Sequence, residues 1–134
     1  MTTFTHIALG TNDVERSRRF YDSVLATLGW SRLVDLGDAG SMWGDGKPSL
    51  MVALPRNGEP ATVGNGVTVS FEAPSHDAVR AFHAAALSFG SPDEGAVGPR
   101  PWAPGALAAY TRDPDGNKLA VYGFATGLGD PRLP

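Results

Sequence analysis

The sequence contains no cysteine. That excludes disulfides, thiolate nucleophiles and cysteine-based zinc sites. A strong charge of either sign is also missing: 11 Lys and Arg stand against 14 Asp and Glu, a net charge of −3. With no basic cluster, nucleic acid is not an expected partner. No apolar run approaches the roughly 18–20 residues that cross a bilayer, so no membrane partner is expected. The opening Met1-Thr2-Thr3-Phe4 lacks the basic and then apolar segments of a signal peptide. A cytoplasmic protein is the expectation. No Gly-x-Ser-x-Gly elbow and no phosphate-cradling glycine loop occur, so nucleophilic and nucleotide-binding readings lack support. What the chain does have is turn residues: 17 Gly and 11 Pro among 134 residues predict many short strands. The length suits one domain, since typical domains run to about 100–150 residues.

Asp113-Pro114-Asp115-Gly116 is the strongest turn signal. Pro114 presets φ, Asp113 can bond back to the backbone, and Gly116 accepts a left-handed corner. Apolar runs Ala106 to Tyr110 and Leu119 to Tyr122 flank it, which predicts a hairpin closing the fold. Upstream, Phe4 to Gly10 reads as a strand. Asn12 is placed as the N-cap of a helix, with Glu15 at the capping-box spacing. Val14, Ser17, Tyr21, Val24 and Leu28 share one face, widened by Phe20 and Leu25. Arg16, Arg18, Arg19 and Asp22 fall mostly off that stripe and are expected to be solvated. Gly29 stops the helix.

Trp30 to Leu36, Gly40 to Trp43 and Pro48 to Leu54 read as strands. Pro55 to Gly64, rich in Pro, Gly and Asn, reads as a connector. Val67 to Phe71 alternates as a strand. Ser75 can cap a second helix whose inner face holds Val79, Phe82, Ala86 and Phe89, and which Gly90 ends. Glu94 to Trp102 is an irregular strand or loop, and the stretch from Gly123 to Pro134 is a tail or lies across a neighbour. The order β-α-β-β-β therefore occurs twice. Phe20 follows His6 by 14 residues, and Phe82 follows Thr68 by 14. Asp45-Gly46 then Leu50 overlays Asp115-Gly116 then Ala120. The predicted division is a first module at about 2–55, a connector at 56–65, a second module at about 66–123 and a tail at 124–134. The fold class is α+β, with helices covering one face of a curved mixed sheet and a cleft enclosed by the other.

The chain resembles the vicinal oxygen chelate superfamily of glyoxalases, bleomycin-resistance proteins and extradiol dioxygenases. The residues that carry the likeness are Thr5 to Leu9 ahead of Arg19-Phe20-Tyr21, Phe82 to Leu87 in the second helix, and Asp113 to Lys118 before the last strand. In metal-using members of that family, four strand positions converge on one divalent ion. By the internal repeat those positions are His6, Leu50, Thr68 and Ala120 here. Only His6 is an ordinary ligand, and catalytic ions need several N or O donors plus an open site.

The resemblance thus implies a metal-free holder of a small-molecule ligand, with His6, Trp43, Leu50, Thr68, Arg100, Trp102, Tyr110, Ala120 and Tyr122 as candidate lining. Tyr and Trp suit such pockets, and Arg100 can pair with an anion. Glu72, Asp93 and Glu94 are candidates for an acidic groove. No cofactor is expected on this reading. The competing reading is an enzyme. It would be a lyase or dioxygenase that binds Zn, Ni, Fe or Mn through His6, or a metal-free catalyst with His6 as general base, though no partner for that base is identifiable. A third possibility is a subunit whose cleft is filled by its own side chains. His83 is expected to pack or lie at the surface and His76 to be exposed. The family also implies a homodimer.

Overall fold

The computed structural model describes residues 4–124; the predicted tail beyond Phe124 lies outside them. The elements run β1 (Ile7–Gly10), α1 (Val14–Ala26), β2 (Ser31–Asp35), β3 (Gly40–Gly44), β4 (Pro48–Ala53), β5 (Thr68–Ala73), α2 (His76–Ser88), β6 (Gly95–Pro99), β7 (Ala106–Arg112) and β8 (Lys118–Phe124). The predicted order is the observed one, with Gly123 and Phe124 belonging to the last strand rather than to a tail. Two four-stranded sheets form, in the orders β1-β4-β3-β2 and β5-β8-β7-β6. In each, the first strand pairs in parallel with the last and the remaining pairings are antiparallel. The sheets do not join into one, so β1 and β5 each present an edge.

Helix α1 lies on the first sheet and α2 on the second. The N-cap of α1 is Asp13, whose carboxylate accepts from the Arg16 amide, and not Asn12. Asn12 instead exchanges two hydrogen bonds with Ala61 of the connector, at 3.1 and 2.7 Å. Ser75 caps α2 by accepting from the Ala78 amide. Gly29 and Gly90 follow the helices at φ of 82° and 85°, a conformation that a Cβ would oppose. Ser17, Phe20, Tyr21, Val24 and Leu25 are buried along α1, and Val79, Phe82 and Ala86 along α2. All of these except Ser17 pack with Trp43, Leu50, Val52, Phe71, Leu119 and Val121 in one core, and removing that apolar area from water is the main source of stability.

The arginines of α1 are not simply a solvated face. Arg18 donates to the Ser41 hydroxyl at 2.8 Å and to the Gly40 carbonyl at 3.0 Å, tying the helix to β3. Ser41 in turn donates to Asp35, and that hydrogen bond is the main cause holding the Asp35 carboxyl below its usual range. Arg19 does stay exposed.

The modules meet in two ways. Apolar contact comes from Phe20 on Phe89 and Trp30 on Phe71, each pair at 5.6 Å between ring centroids. Polar contact comes from the Asp113-Pro114-Asp115-Gly116 turn. Asp115 accepts from the Thr11 hydroxyl at 2.6 Å, the Asn12 amide at 2.8 Å and the Arg16 guanidinium at 3.0 Å. Its side chain is only 3% exposed. Asp113 holds the turn itself, accepting from the amides of Asp115 and Asn117. It also accepts from the Tyr21 hydroxyl of α1 at 2.6 Å. Burial raises the Asp113 carboxyl above the usual aspartate range despite these donors. The Tyr21 phenol is raised well above its ordinary value, first by burial and then by Asp113.

Candidate functional site

Strand residues alternate between two faces, so paired residues across a ladder share a face. In β5 the helix side takes Val69, Phe71 and Ala73, all buried, while Thr68, Ser70 and Glu72 are exposed on the other side. Their ladder partners Lys118, Ala120 and Tyr122 share that open face, and Tyr110 joins it opposite Ala120. In the first sheet, Ile7 pairs with Leu50 and Leu9 with Val52 on the helix side. The open face carries Ala8 beside Met51, with Met42 across from Met51. One residue before the ladder, His6 falls across from Ser49.

Two neighbouring regions result. The first is a cleft of about 480 Å³ between the edges of β1 and β5, lined by Phe4, His6, Ser49, Leu50, Ser70 and Glu72 among others. His6 is exposed there, and the Thr5 hydroxyl lies 3.1 Å from its Nδ1. The second lies on the open face of the second sheet and shares Ser70 and Glu72 with the first. Trp102 Nε1 donates to the Tyr122 hydroxyl at 2.9 Å, and the Tyr110 and Tyr122 hydroxyls share a short hydrogen bond. Partial burial, and then the Tyr122 hydroxyl, hold the Tyr110 phenol above its ordinary value, so it stays protonated. Arg100 Cζ and Lys118 Nζ lie 5.5 and 5.4 Å from the Tyr110 ring centroid, within cation–π range. Arg100 reaches this place because β6 carries glycine there. A Cβ on Gly95 would sit 3.1 Å from both Arg100 Nη2 and Tyr110 Cδ1.

The structure therefore brings Arg100, Trp102, Tyr110 and Tyr122 together beside Ala120, which is itself only 1% exposed and so offers little surface to a ligand, and puts His6 on the adjoining cleft. Thr68 is exposed on the same open face. Trp43 does not line the cleft. It is 1% exposed in the helix-side core, tilted at 47° against Tyr21 and donating to Asp22 at 2.9 Å. Leu50 reaches the cleft only at its floor, from the core face. The ladder makes Met51, not Leu50, the counterpart of Ala120. The reason lies in the ladder beside the turn. Gly44 pairs with Pro48 but Trp43 with Leu50, so β4 takes one extra residue at a register shift, whereas Arg112–Lys118 continues to Tyr110–Ala120 without one. Counting from Asp-Gly past that shift slips by one residue, and one residue changes the face. Lys118 was also missed, although it lies two residues before Ala120 and so on the same face.

The corrected set of positions is His6, Met51, Thr68 and Ala120. It does not fit a divalent ion: one imidazole, one soft thioether, one neutral hydroxyl and one methyl do not make a donor set for Zn, Ni, Fe or Mn. Among the described residues no group of three or more His, Asp or Glu is placed to hold a metal. His83 is buried in α2 against Asp93 at 3.2 Å, and His76 is near the Gly105 carbonyl; neither approaches this face. No helix among the described residues is long and apolar enough to cross a membrane.

Comparison with known proteins agrees with this architecture. A crystal structure of a glyoxalase/bleomycin resistance protein from Albidiferax ferrireducens T118 is 37% identical, with a TM-score of 0.82, over 91% of this chain and 98% of that one. A glyoxalase-related enzyme from Fulvimarina pelagi is 21% identical, with a TM-score of 0.71, over 92% and 88%. Lactoylglutathione lyase from Agrobacterium tumefaciens is 21% identical, with a TM-score of 0.65, over 92% and 94%. At that identity the last two share the fold. The curated proteins contain no match. The profile of the Glyoxalase/Bleomycin resistance protein/Dioxygenase superfamily matches residues 3–121. With the doubled βαβββ module, the paired helices and the closing Asp-Pro-Asp-Gly hairpin all in place, the chain belongs to that superfamily.

Proposed function

We propose that the protein is a metal-free binding protein for a small molecule, taken on the open face of the second sheet and in the cleft beside His6. The observation that carries this reading is the Trp102–Tyr122–Tyr110 chain of hydrogen bonds set over Ala120. It presents large flat apolar surface with a few fixed polar groups, the usual make-up of a ligand pocket. At the positions where metal-using relatives would need donors, this chain carries Met51, Thr68 and Ala120, which supports binding without bond cleavage. The reading includes a second copy of the chain in a cytoplasmic homodimer. The half-buried Met42 and Met51 and the edges of β1 and β5 favour such a partner.

A thermal-shift screen of aromatic and amphipathic small molecules tests the proposal. A hit is expected to raise Tm in the parent and not in Trp102→Ala. Elemental analysis of the purified protein, followed by addition of Ni²⁺, Zn²⁺ or Fe²⁺, tests the metal-free part. Tight stoichiometric metal that disappears in His6→Ala overturns it. Sedimentation velocity tests the pairing, which a monomer at all concentrations would refute.

A further inference from the structure

We infer that this face receives the oxyanion of a planar aromatic carboxylate, an inference that rests on the ligand-holding reading and names its ligand class. Trp102 Nε1–H and the two phenol O–H groups make three donors, but only two hydrogen bonds join them. If Tyr110 donates to Tyr122, the Tyr122 hydroxyl has filled its acceptor positions and its own proton points elsewhere. If Tyr122 donates to Tyr110, the Tyr110 proton is left over. Either way one O–H has no acceptor among the described residues. A donor in a part-buried site gains most from an acceptor, and most of all from a charged one.

The surroundings select that charge. Lys118 and Arg100 flank the Tyr110 ring, and none of the ion pairs among the described residues uses either of them. Arg100 is held in place by the carbonyls of Ala96, Gly98 and Pro99, so its guanidinium is positioned before any ligand arrives. The neighbouring Arg112 differs: it pairs with Glu94 at 2.7 Å and donates to the Gly116 carbonyl. Glu72 lies across from Tyr122, toward the Phe124 end of the strand, whereas Lys118 begins the strand. The carboxylate therefore belongs at the Lys118 and Arg100 end. The ring belongs against Trp102, which is 67% exposed and anchored through its nitrogen, leaving its faces open to stacking.

Isothermal titration with three probes of one shape tests the inference: 2-naphthoate, 2-naphthamide and 2-naphthylmethylammonium. The carboxylate is expected to bind about tenfold more tightly than the amide, with the ammonium weakest, because one charge-assisted contact contributes about a factor of ten or more. Its advantage should shrink as salt rises, while amide binding stays constant. Lys118→Met should remove most of the advantage and Lys118→Arg should keep it. Equal binding of carboxylate and amide, or preference for the ammonium, overturns the inference. If the amide then still binds and Trp102→Ala abolishes it, the ligand-holding reading stands without the carboxylate. If no probe binds and the broader screen finds no hit, both fall.

Discussion

The two modules share strand order, helix placement and a closing turn, yet their open faces differ in kind. The first offers His6, Ala8, Ser49, Met42 and Met51. The second offers Tyr110, Tyr122 and Trp102 with two cations beside them. Their helix-facing sides, by contrast, are alike: Leu50 and Val52 in one, Leu119 and Val121 in the other, all at or below 1% exposure. Burial imposes the same demand on both modules, because a cavity or a buried polar atom costs the same in either. On the second open face only small residues such as Ala108 and Ala120 are covered, and the larger side chains around them are free to carry different chemistry.

The largest test of this comparison uses neighbouring residues on β4. Leu50→Glu places a carboxylate in the core and should cost more than about 4 kcal/mol or abolish folding, while Met51→Glu should cost the unpaired chain under about 1 kcal/mol. Urea unfolding of both variants checks it, and similar losses would show that the faces are misassigned. Next comes the joint between the modules. Asp115→Ala strands the Thr11 hydroxyl, the Asn12 amide and the Arg16 guanidinium, and should cost about 3 kcal/mol. A loss below about 1 kcal/mol would mean that the apolar contacts alone hold the modules together.

Tyr21→Phe should cost about 1–2 kcal/mol, since the Asp113 carboxyl keeps its contacts to Asn117 but loses the phenol. The smallest effect is a slope. Asp113 has a folded pKa above 3.8, so the folded chain binds this proton more tightly than the unfolded chain. Its contribution is full below 3.8 and is lost as pH rises through the higher folded value. Relative to Asp113→Asn, the parent should gain stability as pH falls through that window. Parallel stability curves for the two proteins would refute it.

Much of this architecture could be read in the sequence because its causes are local. The α1 stripe, the Ser75 cap, the glycines after both helices and the Asp-Pro-Asp-Gly hairpin each depend on residues a few positions apart. What escaped depends on distance or parity. Arg16 looked solvated because its partner Asp115 is 99 residues away. Arg18 reads as solvated because its partner Ser41 lies 23 residues on, in a strand. Asn12 reads as the cap because its partner, Ala61, sits in a connector with no pattern of its own. Leu50 reads as a ligand-site residue because the register shift beside Gly44, which changes strand parity, leaves no mark in the sequence. Trp43 is large and amphipathic, and its burial against Tyr21 shows it to be core. The cluster of Arg100, Trp102, Tyr110 and Tyr122 could be named residue by residue, but the Gly95 gap that admits Arg100 could not.

The hairpin that closes the second half reaches back with both of its carboxylates, one to the α1 tyrosine and one to the loop entering α1. A cut in the connector would therefore leave two fragments with complementary wounds. One would keep a tyrosine, a threonine hydroxyl and a guanidinium with nothing to grip, the other a pair of acids short of those three donors. Neither half should persist alone, but mixed together they should recognise each other, which makes this chain a candidate for reassembly from its pieces.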